Sequence, residues 1–198
     1  MAKLKLTPSQ EAIRKNLEDD TGGYNNGHVW YMVAGLPTKE RVGELLEFLD
    51  SKEKTGEYCF CELSIEGKRG SYAVSVHSHE KYLSELINEL SEAFPETVVY
   101  WNDCWDYEGI LVVMKNGEDI EPEEVCEVRL KEDQIAYGDE EAEEPYYECT
   151  AEVTDDATGA KFEMGGGYIS PDQRDAILDL CSIRRQIRRK KLKEEKTA

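Results

Sequence analysis

His77-Ser78-His79-Glu80 is the one stretch of this chain in which titratable side chains stand at a spacing suited to chemistry. Histidines at i and i+2 of an extended segment project to one side, where two imidazoles and a carboxylate can hold a metal ion. A working site needs three or four ligands, so Cys104 or a distant carboxylate would have to complete it. A metal-dependent hydrolase using His77 and His79 is therefore the weakest of three functional readings. The same residues also read as the start of a helix capped by Ser78. A two-histidine phosphoesterase would need a second H-x-S element, and His28 is followed by Val29-Trp30. Cys59 and Cys61 are separated by one residue and the remaining cysteines are scattered singly, which predicts reduced, packed thiols. No phosphate loop, dinucleotide fingerprint, H-E-x-x-H or G-x-S-x-G is present. Carboxylates are so abundant that no single pair stands out as acid and base. The sequence thus nominates no catalytic residue, no metal site and no cofactor.

The residues that do stand out suit binding. Trp101 to Gly109 holds three aromatic rings and three carboxylates, and Asp103, Trp105, Asp106, Tyr107 and Glu108 form the first candidate partner surface. Aromatic anchors supply much of the energy at protein interfaces, and carboxylates favour a basic partner. Asp139, Glu140, Glu141, Glu143 and Glu144 form the second, in an acidic run too charged to pack, which reads as an exposed loop. From Glu118 to Asp156 there are 17 acidic residues against Arg129 and Lys131 alone. From Arg184 to Ala198 eight Lys or Arg stand against Glu194 and Glu195, a net +6, which leaves −25 for residues 1–183 of the total −19. Such a body repels nucleic acid and anionic membranes and attracts basic proteins. The basic tail reads as an intramolecular partner for the acidic region, a phosphate contact or a solvated end, and the charge of the body favours the first or the last. No apolar run reaches the roughly 18 residues of a membrane span. The amino terminus lacks the apolar core of a signal peptide, so a soluble cytoplasmic protein is expected.

The elements that must position these surfaces follow from periodicity. Val29 to Leu36 is an apolar strand, and Val42, Leu45, Leu46 and Leu49 recur at helical spacing. Tyr58 to Ile65 alternates, with Cys59, Cys61, Leu63 and Ile65 on one face. After a turn at Glu66–Gly70 the alternation resumes at Tyr72, Val74 and Val76. Tyr82, Leu83, Leu86, Ile87, Leu90 and Phe94 line a second helix ended by Pro95, and Thr97 to Trp101 and Ile110 to Met114 form two more strands. The expected fold class is α+β, a ferredoxin-like βαββαβ sandwich with an extra strand. Thr7-Pro8-Ser9 opens an N-terminal helix, and Ser170-Pro171-Asp172 opens a C-terminal basic helix with Ile177, Leu178, Cys181, Ile183 and Ile187 on its apolar side. Between them Val125 to Leu130, Tyr146 to Val153 and a short strand at Lys161 to Met164 form an acidic β-rich extension, followed by a hinge at Gly165-Gly166-Gly167. The expected divisions are 1–27 (helix and linker), 28–117 (core), 118–167 (extension) and 168–198 (helix and basic tail).

From Leu83 to Glu118 a helix ends in Ala93-Phe94-Pro95-Glu96, a loop carries Tyr107-Glu108-Gly109, and Asn116-Gly117-Glu118 closes the last strand. This arrangement resembles the YubB-type ferredoxin-like domain of plasmid and phage proteins over roughly a fifth of the chain. The resemblance implies a fold and a mobile-element setting, and it implies no catalytic residue.

The same strand order occurs in RNA-recognition motifs, but Arg69 to Val76 lacks the stacking aromatics at their positions. The leading expectation is a non-enzymatic acidic binding protein that occupies the basic groove of a nucleic-acid-binding protein, as anti-restriction or anti-CRISPR inhibitors that mimic nucleic acid do. The alternative is a small-molecule-sensing or regulatory ferredoxin-like domain.

Overall fold

The computed structural model describes residues 4–18, 29–56, 58, 60–68, 70–78, 83–102, 111–137 and 145–182. It is an α+β protein whose sheets are antiparallel throughout.

Helix α1 (Pro8–Glu18) starts with a reciprocal cap. The Thr7 N–H donates to Gln10 Oε1 at 3.0 Å, the Gln10 N–H donates to Thr7 Oγ1 at 3.2 Å, and Pro8 takes the first helical position. Leu17 is fully buried in the main core. The next elements are β1 (Val29–Leu36), α2 (Lys39–Lys54), β2 (Phe60–Lys68), β3 (Ser71–Ser78), α3 (Ser84–Ala93), β4 (Val98–Trp101), β5 (Val112–Lys115) and β6 (Glu118–Asp119). The strands form one sheet in the order β2-β3-β1-β4-β5-β6. Thr38 caps α2 by accepting from the Arg41 N–H at 3.2 Å, and Val42, Leu45, Leu46 and Leu49 bury its apolar side. Leu86, Ile87 and Leu90 of α3 join the same core, with Tyr31, Val33, Val74, Val76 and Val99 from the sheet below. Burying each side chain of this size contributes about 1.5–3 kcal/mol.

A second sheet covers the opposite face. After α4 (Pro122–Val125), strands β7 (Cys126–Tyr137), β8 (Tyr146–Asp155) and β9 (Lys161–Ile169) pair in that order. A last helix, α5, occupies 171–182. Met32, Ala34, Tyr100 and Val113 of the first sheet pack against Val128, Ala151, Val153, Phe162 and Met164 of the second. The molecule is therefore layered as helices, six-stranded sheet and three-stranded sheet. β1 lies in the middle layer, so both its faces are apolar and buried.

The structure corrects several sequence readings. Gly165 to Gly167 is no hinge: it lies within β9, where Gly165 pairs with Thr150 and Gly166 with Cys149. β7 and β9 both extend well beyond the alternating residues. In β2 a register shift between Phe60 and Glu62 brings Phe60 into the core beside Leu63, where simple alternation expected Cys59 and Cys61. Ser78 is buried at the end of β3, and α3 begins after Leu83 with no side-chain cap. On α5 the buried side is Ile177 and Cys181, with Leu180 rather than Leu178 packed against the core.

α5 is fastened by the Ser170–Gln173 reciprocal cap and by one ion pair. Arg174 Nε and Nη2 donate to Asp133 Oδ1 and Oδ2 at 2.5 and 2.7 Å, and the guanidinium lies 4.6 Å from the centre of the Tyr147 ring. The hydrogen bonds from Arg174 hold the Asp133 carboxyl below its ordinary value of 3.8. A carboxyl lowered in the folded state adds stability above its unfolded value, and this is lost as pH falls through the folded one. Acid titration followed by amide exchange is therefore expected to loosen α5 only below about pH 3.8. An Arg174→Met chain should lack this step.

Candidate binding surface

Strand β5 is edged by a short strand and an acidic turn. Asn116 and Gly117 both take positive φ, 53° and 75°, which makes the tight Asn-Gly reversal between β5 and β6. The Gly117 N–H donates to Ser91 Oγ at 2.9 Å, tying that reversal to α3. The chain then returns along β5, where the Ile120 N–H donates to Val113 O at 2.9 Å, and enters α4 with Pro122 in its first turn. Between β5 and this returning segment lies a cleft of about 450 Å³. Leu111, Val113 and Ile120 form its apolar lining, and Asp119, Glu121 and Glu124 stand at its rim.

Glu118, Asp119, Glu121 and Glu124 are all exposed, and among the described residues none of them has an ion pair or a side-chain hydrogen bond. Several other carboxylates are engaged. On the outer face of the small sheet Glu127 meets Arg129 at 3.0 Å, Glu152 meets Lys161 at 2.6 Å, Glu163 meets Lys131, and Gln134 donates to both Glu132 and Glu148. On the helical layer Arg41 joins Glu44 and Glu96, Lys52 joins Glu89, and Lys54 joins Asp50. Exposed pairs of this kind add at most about 1 kcal/mol each, but they locally cancel the field that a partner would sense. Four such carboxylates gather at the β5–β6–α4 edge, where Glu118 stands opposite Lys115 across the strand pair; Glu47, Glu85, Glu92, Asp172 and Asp179 are likewise exposed and without a partner among the described residues, spread over α2, α3 and α5.

The residues singled out from the sequence relate to this edge through their anchors. Asp103, Trp105, Asp106, Tyr107 and Glu108 lie outside the described residues, but the positions on either side of 103–110 do not. Asn102 is buried and its N–H donates to Trp30 O at 3.0 Å, while Leu111 is buried in the wall of the cleft. Of these two flanking residues, Leu111 stands beside the acidic rim. Trp101 itself belongs to the core. Asp139, Glu140, Glu141, Glu143 and Glu144 also lie outside the described residues. In the sequence they fall between β7 and β8, whose Ile135 and Tyr146 are 65% and 48% exposed.

Of the residues considered for a metal, only His77 is described. The ring of His77 lies flat on Trp30, centroids 4.2 Å apart and planes 7° from parallel, while His79, Glu80 and Cys104 fall outside the described residues. Among the described residues no group of three or more His, Cys, Asp or Glu could hold a metal ion. Cys126, Cys149 and Cys181 are buried free thiols; burial, then the Asp133 charge, pushes the Cys149 thiol up to about 11. No helix among the described residues is long and apolar enough to cross a membrane.

Sequence reading missed the grouping of Glu118, Asp119, Glu121 and Glu124, because it depends on the cations that other carboxylates meet across strands. It also missed a buried link between the sheets. Tyr100 donates its hydroxyl to Asp155 Oδ1 at 2.5 Å, and burial followed by the Asp155 charge holds the phenol well above its ordinary range. Comparison of the chain with protein-family models, curated proteins and solved structures returns no match.

Proposed function

We propose that this chain is a non-enzymatic acidic binding protein whose β5–β6–α4 edge, with residues 103–110 between β4 and β5 in the sequence, occupies the basic groove of a nucleic-acid-binding protein. The observation that carries this reading is the group of four exposed, internally unpartnered carboxylates, Glu118, Asp119, Glu121 and Glu124, set beside a partly apolar cleft. Carboxylates spaced along an edge substitute for phosphates against Lys and Arg, and apolar lining adds contact that a nucleic acid lacks. We read the unit from β1 to β4 as ferredoxin-like, supported by the order β4-β1-β3-β2 with α2 and α3 on one face. Together with the YubB-type resemblance, this suggests an inhibitor carried by a plasmid or phage, of the anti-restriction or anti-CRISPR type.

Capture from bacterial lysate at low and at high salt tests the reading, using the native chain beside a Glu118→Gln/Asp119→Asn/Glu121→Gln/Glu124→Gln chain. The expected result is a nucleic-acid-binding protein that the native chain retains at low salt, that duplex DNA displaces, and that the variant binds at least about tenfold more weakly. Equal retention by both chains, or no nucleic-acid-binding protein in either, would sink the proposal.

One observation favours the small-molecule alternative. Tyr31 and Trp101 are cross-strand partners of β1 and β4, and the Tyr31 hydroxyl and Trp101 Nε1 are both buried without a hydrogen-bond partner among the described residues. Such atoms cost stability unless something accepts from them. In the alternative reading a small polar ligand does so, and thermal stabilisation of the native chain but not of a Tyr31→Phe chain by that ligand would mark it. The usual dimer contact of such domains, sheet face against sheet face, is taken here by β7–β9.

A further inference from the structure

We propose that Asn116 is a site of self-modification: when the β5–β6 reversal opens, the Gly117 nitrogen attacks the Asn116 side chain and converts it to aspartate or isoaspartate. The conversion concerns the isolated protein, and only its effect on binding rests on the proposed function. The sequence supplies the reactants. The backbone nitrogen after an asparagine can close a small imide ring on the side-chain carbonyl carbon, and glycine has no Cβ to shield that nitrogen or restrict its rotation. Asn116 and Gly117 are both exposed, and among the described residues the Asn116 side chain makes no hydrogen bond that would hold it away.

The fold supplies the restraint. Both residues are held at positive φ, 53° and 75°, and the Gly117 N–H donates to Ser91 Oγ at 2.9 Å. Ser91 is fully buried on α3, so the hydroxyl that takes this hydrogen bond is fixed. Glu92 packs on the same spot, with its Cγ 3.2 Å from the place that a Cβ of Gly117 would fill. A nitrogen tied to Ser91, in a turn locked to one set of dihedrals, does not swing onto the neighbouring side chain. Opening must therefore come first. β6 has two residues, both exposed, and pairs with β5 only at Lys115–Glu118 and Met114–Asp119, so this reversal is among the easiest parts of the sheet to open.

The reaction needs only water. The Gly117 nitrogen gives up its proton and bonds to Asn116 Cγ, the Cγ–Nδ2 bond breaks, and ammonia leaves with the proton. Water then opens the imide. Cleavage of the new bond gives aspartate, and cleavage of the original peptide bond gives isoaspartate, whose main chain runs through Cβ and Cγ. Either product adds a carboxylate to the edge that holds Glu118, Asp119, Glu121 and Glu124. Isoaspartate also lengthens the reversal by a methylene, which shifts β6 out of register with β5.

The test incubates the full chain at neutral pH and uses peptide mapping to locate the mass rise of OH in place of NH2, with isoaspartate identified by its enzymatic methylation. In denaturant Asn116 should convert at the rate of Asn26, the chain's other Asn-Gly, which lies outside the described residues. In the folded chain Asn116 should convert at least about tenfold more slowly than in denaturant. Ser91→Ala should speed the folded chain about fivefold, what loss of one hydrogen bond gives, and leave the rate in denaturant unchanged. Ile120→Ala, which loosens the returning segment and leaves Ser91 in place, should also speed it, so the proposal stays testable if Ser91→Ala does not fold. Equal rates in the native chain and both variants overturn the proposal. So does an Asn116 that stays intact in the folded Ser91→Ala chain while the denatured chain converts. If conversion follows the expected course but an Asn116→Asp chain retains no more partner in the capture experiment than the native chain, the modification stands and its effect on binding is rejected.

Discussion

Replacing Asp155 by alanine is expected to lower stability by about 3 kcal/mol. The side chain is 1% exposed, and both its oxygens are used. Oδ1 accepts from the Tyr100 hydroxyl at 2.5 Å, and Oδ2 accepts from the Thr158 N–H and hydroxyl, each at 2.7 Å. Alanine leaves three buried or half-buried donors without an acceptor, and an orphaned buried donor costs about 1–3 kcal/mol. The sum is reduced because the Tyr100 oxygen also lies 3.2 Å from Val125 O, an acceptor to which its proton can turn. The backbone of Asp155 closes the β8–β9 turn, donating to Ala160 O at 2.9 Å and accepting from the Gly159 N–H at 2.8 Å, so disorder should begin at that turn. Denaturant unfolding should show the midpoint fall, and thermal unfolding should show a drop of roughly 6–12 °C for a chain of this length. Tyr100→Phe should cost less, because Thr158 still satisfies the carboxyl group. A double-mutant cycle of the two changes should show coupling of at least about 1 kcal/mol. Additive losses would mean that the two sheets are not joined through this bond.

That bond marks the limit of what the sequence shows. The turn at Asp155 to Gly159 is legible from its residue types, but burial of its first carboxyl depends on Tyr100, 55 positions earlier. The first sheet is legible because its strands and helices differ in period, and β1 carries a further signal. Val29 to Leu36 does not alternate, and an unbroken apolar strand needs cover on both faces. β7–β9 supply that cover. The register shift in β2 is invisible to a period-two reading, which places Cys61 where Phe60 packs. For the binding surface, composition directs attention to the densest acidic runs, 103–108 and 139–144. The four carboxylates at the β5–β6–α4 edge are brought together by the β5–β6 reversal and α4, whereas Lys131, Lys161 and Arg41 reach other carboxylates across strands or from a helix. Charge count is a property of sequence, whereas charge cancellation is a property of the fold.

Gly165→Ala is expected to be as damaging as the Asp155 change, about 3 kcal/mol or more, while the same substitution at either neighbouring glycine should be nearly silent. Glycine runs invite the reading of a hinge, yet only one of these three is required by its surroundings. Gly165 has φ +88°, a conformation that costs an L-residue about 1–2 kcal/mol. A Cβ there would stand 2.1 Å from Cys149 O and 3.1 Å from Cys149 C, with Ile177 Cδ1 at 3.2 Å. The first two are backbone atoms of the paired strand, so relief requires β9 to move away from β8 and give up ladder hydrogen bonds. Because Ile177 is on α5, the displacement should also loosen the helix that Arg174 and Asp133 fasten. At Gly166 and Gly167 a Cβ meets nothing within 4 Å and φ is not positive. Alanine there should be neutral or stabilising by about 0.5 kcal/mol, because it narrows the unfolded ensemble. Unfolding midpoints of the three variants, with amide exchange across α5, separate a strand from a hinge. A hinge would tolerate all three changes alike, and a strand held this close to its neighbour tolerates only two.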